Sequence, residues 1–85
     1  MEIILLPKAR ADLQYWQKTN NKLILKRIAT IIKSIVADPW TGIGKPEPLR
    51  HELSGKWSRR LDREDQVIYA LEDGVIYIYS LKGHY

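Results

Sequence analysis

The chain has no cysteine. No disulfide can brace it and no thiolate can hold a metal, so the fold must stand on packing alone or on a partner. That fits a reducing compartment. Its two histidines, His51 and His84, lie far apart without cysteine companions, which leaves no recognisable metal-ligand spacing. A phosphate-cradling glycine loop is missing too, because GIGKPE lacks the spacing and the following helix. No apolar run approaches the length of a membrane span. The first six residues hold four aliphatics and one acid ahead of Pro7, too short for a secretory signal and lacking its basic start and cleavage site. These absences predict a single domain over 1–85, cytoplasmic, with no metal, no cofactor and no membrane.

What is present is positive charge, unevenly placed. The formal net charge is +4 over 85 residues. Seven Lys/Arg against three Asp/Glu precede residue 41, and seven meet seven after it. The excess therefore sits in the N-terminal half. A basic face favours a polyanion, most often nucleic acid; the plainer alternative is a solvated helix surface.

Residues 2–6, EIILL, read as a short buried strand. Pro7 suits the first turn of a helix, and Ala9, Leu13 and Trp16 recur at helical spacing, with Lys8, Arg10, Asp12 and Gln14 between them. TNN at 19–21 breaks the pattern and offers an asparagine N-cap for a second helix over about 22–36. Leu25, Ile28, Ile32 and Ile35 form its apolar stripe, widened by Ile24 and Ile31. Lys22, Lys26 and Lys33 fall on another face. Three prolines and two glycines in DPWTGIGKPEP (38–48) impose a stiff extended loop. Four short strands are then predicted at 49–53, 56–61, 66–71 and 75–81, with turns at SG, DRED and EDG. The last is apolar on both faces and should be central. Strand, helix, helix and a strand meander make an α+β fold: two helices packed on a largely antiparallel twisted sheet.

Several side chains could carry chemistry. Glu47 stands between Pro46 and Pro48, which restrict its backbone and aim its carboxylate, as a general base requires. The alternative is an exposed loop glutamate. Strand alternation places Arg50 with Glu52, and Arg60 with Ser58, away from the apolar face, where guanidinium groups suit phosphate. The alternative is pairing with Glu52, Asp62, Glu64 and Asp65. Arg59 shares its face with Trp57 and Leu61 and is the arginine expected to be structural. His51 shares a face with Leu49 and Leu53 and reads as a packed histidine. His84 can titrate near neutral pH, and Tyr85 could stack on a base. A carboxylate, guanidinium groups and an imidazole suffice for metal-free RNA cleavage, in which a base takes the proton of a ribose 2′-OH.

The stretch GIGKPEPLRHELSGKWSRRL, the early YWQK and the terminal HY together resemble the YoeB/Txe toxins of the RelE-like toxin–antitoxin superfamily, over essentially the whole chain. The resemblance implies a microbial-RNase fold and a metal-free, ribosome-dependent endoribonuclease that cuts mRNA in the decoding site and so inhibits translation. It implies a YefM-like antitoxin partner, operator DNA bound only through that antitoxin, and a homodimer in some states. Carried over by position, the base falls on Glu47, the acid on His84, the terminal tyrosine on Tyr85, and basic active-site positions on Arg50 and Arg60. Lys22, Lys26, Lys33 and Lys45 are the expected contacts to RNA and ribosome. One departure stands out. The family usually has an arginine, expected to contact the scissile phosphate, where this chain has Gln66. Three readings stay open: a slower or inactive nuclease that still binds antitoxin and ribosome, another cation taking the charge, or a change made so that a lethal toxin could be produced.

Overall fold

The computed structural model describes residues 1–84. Its elements are β1 (Glu2–Leu5), α1 (Pro7–Lys18), α2 (Lys22–Ala37), β2 (Glu47–Pro48), a single 3₁₀ turn (His51–Leu53), β3 (Trp57–Arg60), β4 (Gln66–Glu72) and β5 (Val75–Ser80). The five strands form one sheet in the order β1-β5-β4-β3-β2. β1 runs parallel to β5 and all other pairs are antiparallel. The α+β class is as expected. β5 is interior, paired on both sides, and β4 occupies the middle of the sheet.

Pro7 does open α1, and Asn21 caps α2 by accepting a 3.1 Å hydrogen bond from the Ile24 N–H. The buried stripe of α2 is Ile24, Ile28, Ile31 and Ile35, with Leu25 and Ile32 at its margin. The helix is thus rotated slightly from the predicted stripe. These isoleucines pack with Ala9 and Trp16 of α1 on one sheet face, against Val67, Tyr69, Ile76, Ile78 and Leu81. The other face carries no helix.

Three sequence expectations fail, each for a local reason. β1 is a half-buried edge strand, because it pairs only with β5. Residues 49–53 are not a strand. The chain turns twice instead, through Leu53 N–H to Arg50 O and Lys56 N–H to Leu53 O, and the pairing with β3 falls at Glu47 and Pro48. Period-two alternation therefore does not apply there, and His51 (φ +59°) is exposed rather than packed. Third, Asp12 belongs to the buried face of α1. Its Oδ2 accepts from Lys8 Nζ at 2.7 Å and from the Leu81 N–H at 3.0 Å, while Trp16 Nε1 donates to the Leu81 carbonyl at 2.9 Å. α1 thereby grips the chain where β5 ends.

Candidate active site

The helix-free sheet face gathers the site. Strand pairing sets Glu47 opposite Ser58, Ser58 opposite Ile68, and Arg60 opposite Gln66. Since Arg59 and Val67 point into the core, alternation turns Arg60, Gln66, Ser58 and Glu47 to the open side. Glu47 and Arg60 are exposed and Gln66 is half-buried. Adjacent rungs on one face are about 7 Å apart along a strand, so a carboxylate, a guanidinium and an amide converge on a patch the size of a nucleotide.

His84 arrives from the opposite end of the chain. The Gln66 N–H donates to the Gly83 carbonyl at 2.8 Å, and the Gly83 N–H donates to Asp65 Oδ1 at 2.8 Å. His84 Nδ1 lies 3.1 Å from the Glu64 carbonyl oxygen. A carbonyl can only accept, so Nδ1 carries a proton, and Nε2 is the nitrogen left to exchange one with a ligand. The β3–β4 turn is itself fixed: Asp62 Oδ1 accepts from the Glu64 and Asp65 N–H groups at 2.9 and 2.7 Å. Gln66 is thus the meeting point, with Arg60 across the ladder and the segment before His84 beside it. Tyr85 lies outside the described residues.

Glu47 is positioned by a second device. Arg59 is fully buried. Its guanidinium donates to the carbonyls of Asp38 (2.6 Å), Thr41 (2.9 Å) and Ile43 (3.3 Å) and to Ser34 Oγ (2.7 Å), and its Nε donates to the Tyr69 hydroxyl at 3.1 Å. Tyr69 in turn donates to the Pro39 carbonyl at 2.6 Å. Burial pushes the Tyr69 phenol up from its ordinary value, opposed by the Arg59 contact, which keeps the proton that this bond needs. Asp38 Oδ1 accepts from the Trp40 and Thr41 N–H groups, at 2.8 and 3.1 Å. The Trp40 bond is the chief reason its carboxyl titrates below the ordinary 3.8, against a smaller desolvation in the other direction. The Arg60 N–H then holds the Gly44 carbonyl at 2.7 Å. Gly44 has φ +84°, and a Cβ there would meet Ile31 at 2.8 Å and Arg59 at 3.2 Å, so only glycine fits the point where loop meets sheet. The loop reaches Glu47 already fastened.

The remaining expected residues divide. Arg50 and Lys45 are exposed and flank Glu47 in sequence, Lys45 in a left-handed conformation (φ +54°). Lys22, Lys26 and Lys33 are exposed on α2, on the helical side of the sheet and apart from the open face. Among the described residues the one ion pair is Lys8–Asp12, at 2.7 Å. Among these residues no arginine forms an ion pair with Glu52, Asp62, Glu64 or Asp65, and Glu47 forms none with a cation. Also among the described residues, no group of His, Asp and Glu could hold a metal ion, and no helix is long and apolar enough to cross a membrane. Two anchors, Asp12 and Asp65, are not foreseen by the sequence pattern. Asp12 does leave a trace, falling three residues after Ala9 and four before Trp16, inside the apolar stripe; Asp65 leaves none.

Comparison with known proteins gives a consistent result. The family described as "YoeB-like toxin of bacterial type II toxin-antitoxin system" matches residues 6–85. Toxin YoeB of Synechocystis sp. is 49% identical over 70 residues, covering 82% of this chain and 81% of the relative. Toxin YoeB of Escherichia coli is 42% identical over 85 residues and 100% of both chains. Among solved structures, the heterotetrameric YoeB–YefM toxin–antitoxin complex from Staphylococcus aureus contains a chain superposing with TM-score 0.90 at 40% identity, over 100% of this chain and 98% of that one. The YoeB dimer from the same organism gives 0.91 at 40% identity, with the same coverage.

Proposed function

The chain belongs to the YoeB-like toxins of bacterial type II toxin–antitoxin systems, and we propose that it is a ribosome-dependent endoribonuclease that cleaves mRNA in the decoding site by general acid–base chemistry. The observation that carries this reading is the convergence of Glu47 and the Arg60–Gln66 rung on one helix-free sheet face, with the His84 segment tied to Gln66 through Gly83. Glu47 takes the proton from a ribose 2′-OH. The oxygen attacks the adjacent phosphorus, the bond from phosphorus to the 5′ oxygen breaks, and Nε2 of the His84 imidazolium supplies the proton to that oxygen. The products are a 2′,3′-cyclic phosphate and a 5′-hydroxyl end. Arg60, with Arg50 and Lys45 nearby, stabilises charge building on the phosphoryl oxygens, and Tyr85 stacks on a base. Lys22, Lys26 and Lys33 hold ribosomal RNA from the helical side.

A YefM-like antitoxin is the proposed partner, in keeping with the Staphylococcus aureus complex, and a homodimer in some states, in keeping with the YoeB dimer. The exposed side chains of Leu23, Trp40 and Ile43 give an antitoxin segment apolar surface to cover. The test of the activity is cleavage of a defined mRNA on programmed ribosomes. The parent should produce discrete cuts that Glu47→Ala and His84→Ala both abolish. Cuts that persist in both variants would end this reading.

Gln66 favours a second reading, a weakened member that binds antitoxin and ribosome without efficient cleavage. Its amide stands opposite Arg60 and brings no charge to the phosphate. Ribosome binding without cuts, restored to cleavage by Gln66→Arg, would select this alternative.

A further inference from the structure

The open sheet face continues beyond the residues used above. Toward the β4–β5 turn it forms a groove of about 270 Å³ lined by Ser54, Lys56, Ala70, Leu71, Glu72 and Tyr79, with Gly55 at its edge. Three features set it apart from ordinary surface. First, the β4–β5 ladder slips between Ile68 and Tyr69, so that Ile68 faces Ser80 while Tyr69 faces Ile78. Tyr79 is the extra residue, and such a bulge re-aims a side chain. Second, Lys56, one residue before β3, sets its Nζ 4.2 Å from the Tyr79 ring centroid. That cation–π contact holds the ammonium and leaves its N–H groups for an acceptor. Third, Lys56 and Glu72 carry opposite charges into one groove without pairing with each other, since Lys8–Asp12 is the one ion pair among the described residues. Ala70, on the groove floor, is two residues along β4 from Ile68, which lies on the Glu47–Ser58 rung, a separation of about 7 Å.

We propose that this groove is a nucleobase subsite for a nucleotide next to the scissile phosphate, and that it takes guanine. Tyr79 supplies an aromatic wall, which any base can use. The selectivity comes from the charged pair. Lys56 donates to the O6 and N7 acceptors of guanine. The Glu72 carboxylate accepts from N1–H and N2–H together. Among the four bases only guanine places two donors side by side for a carboxylate. Adenine and cytosine put a lone pair beside their amine, and the imide of uracil lies between two carbonyls. Small Ala70 leaves the floor open.

This inference rests on reading the face as an RNA-cleaving surface, yet it can be tested without ribosomes. Amide resonances of the full chain are followed during titration with GMP, AMP, CMP and UMP. GMP should shift Ala70, Leu71 and Tyr79 and bind roughly tenfold more tightly than the other three. Glu72→Gln should bring GMP within about twofold of AMP while base stacking persists, and Tyr79→Ala should weaken all four, with folding checked in the same spectra. Absence of shifts at Ala70 and Tyr79, equal affinity for the four nucleotides, or an unchanged guanine preference in Glu72→Gln would overturn the proposal. Selective GMP binding by a protein that makes no cuts on ribosomes would leave the subsite standing and reject the nuclease. Cuts without selective GMP binding would do the reverse.

Discussion

The Arg59 guanidinium donates to the Asp38 carbonyl oxygen at 2.6 Å, joining β3 to the end of α2 across 21 residues of sequence. With its bonds to Thr41, Ile43, Ser34 and Tyr69, this buried cation does for the loop before Glu47 what a small core cannot. It fixes a glycine-rich path by satisfying its carbonyls one after another. Among the described residues the guanidinium makes no ion pair with a carboxylate, although, after the Trp40 N–H bond, its charge helps to lower the Asp38 carboxyl. The guanidinium charge is offset by oriented peptide dipoles, so each carbonyl that loses it is left short of a donor.

Arg59→Met should therefore be among the more damaging single changes. It keeps the aliphatic bulk and strands several carbonyls. We expect a loss of roughly 2–4 kcal/mol in urea unfolding, with cleavage falling further than stability explains, because Glu47 loses its fixed placement. Full activity in a folded Arg59→Met protein would show that the loop holds Glu47 unaided.

Asp65→Ala should separate placement from stability at the other end of the site. Asp65 Oδ1 holds the Gly83 N–H, one residue before the proposed acid. Removing it frees that N–H and lets the His84 ring wander, which on positional grounds should cost on the order of tenfold or more in cleavage rate. The melting temperature should fall by much less than in Arg59→Met. Equal losses in both variants would make Asp65 a general stabiliser rather than a positioning residue.

How far such features can be read in a sequence depends on the range of the interaction. The 3.6-residue rhythm of the α2 isoleucines, the Asn21 cap and the apolar run of β5 are local, and they identify their elements directly. Alternation in WSRR separates Arg59 from Arg60 and so tells the structural arginine from the exposed one. The anchors are different. Asp12 meets Leu81 across 69 residues and Asp65 meets Gly83 across 18; the stripe of α1 hints that Asp12 is buried, but no local pattern names the partner in either bond. The strand predicted at 49–53 fails for a related reason. Alternating LRHEL is compatible with a strand, but the turn at 53–56, in which Lys56 N–H returns to Leu53 O, uses up the length that a strand would need. Of the proposed site, Glu47, Arg60 and His84 stand out as residue types, whereas the common face of Glu47 and Arg60 follows only from the ladder register and the place of His84 only from the bond between Gln66 and Gly83.

Acid should weaken the fold partly through Asp38. Its carboxyl titrates below the ordinary 3.8, chiefly because it accepts the Trp40 N–H. A depressed folded-state value means stability that is present above the unfolded value and is lost as pH falls through the folded one. Asp38→Asn keeps an acceptor oxygen without the titration. Its stability should thus change less than that of the parent below about pH 4. Parallel acid-unfolding profiles for the two proteins would show that this loop carboxylate has no part in acid sensitivity.

Lys22, Lys26 and Lys33 lie on the helical layer, away from the open face, so they should affect binding and leave chemistry alone. Replacing all three with glutamine should weaken association with ribosomes and flatten its dependence on salt. The log–log slope should fall by up to about 0.7–0.9 for each phosphate no longer neutralised. The measurement is affinity across a salt series. An unchanged slope would remove α2 from the ribosome-facing surface.

Gln66→Arg tests the departure from the family pattern, and the strand register gives it two readouts. Residue 66 is directly opposite Arg60. A second guanidinium there would set like charges across a ladder, which costs roughly 0.2–1 kcal/mol, so the variant should unfold slightly more easily than the parent. The same crowding gives the site a stronger positive field where charge collects on the phosphoryl oxygens, and a cation acting there favours the transition state over the bound substrate. A preorganised donor of this kind is worth about 10²–10³ in rate. A load shared with Arg50 and Arg60 would hold the gain to about tenfold or more rather than the full figure. Glu47→Ala and His84→Ala in the Gln66→Arg background should return cleavage to baseline. Lower stability with faster cleavage is the signature of an arginine facing the substrate beside Arg60. Lower stability with unchanged cleavage would mean that residue 66 never meets the phosphate and that glutamine is a neutral occupant of the rung. Cleavage that appears only in Gln66→Arg would identify the parent as a complete site lacking one charge.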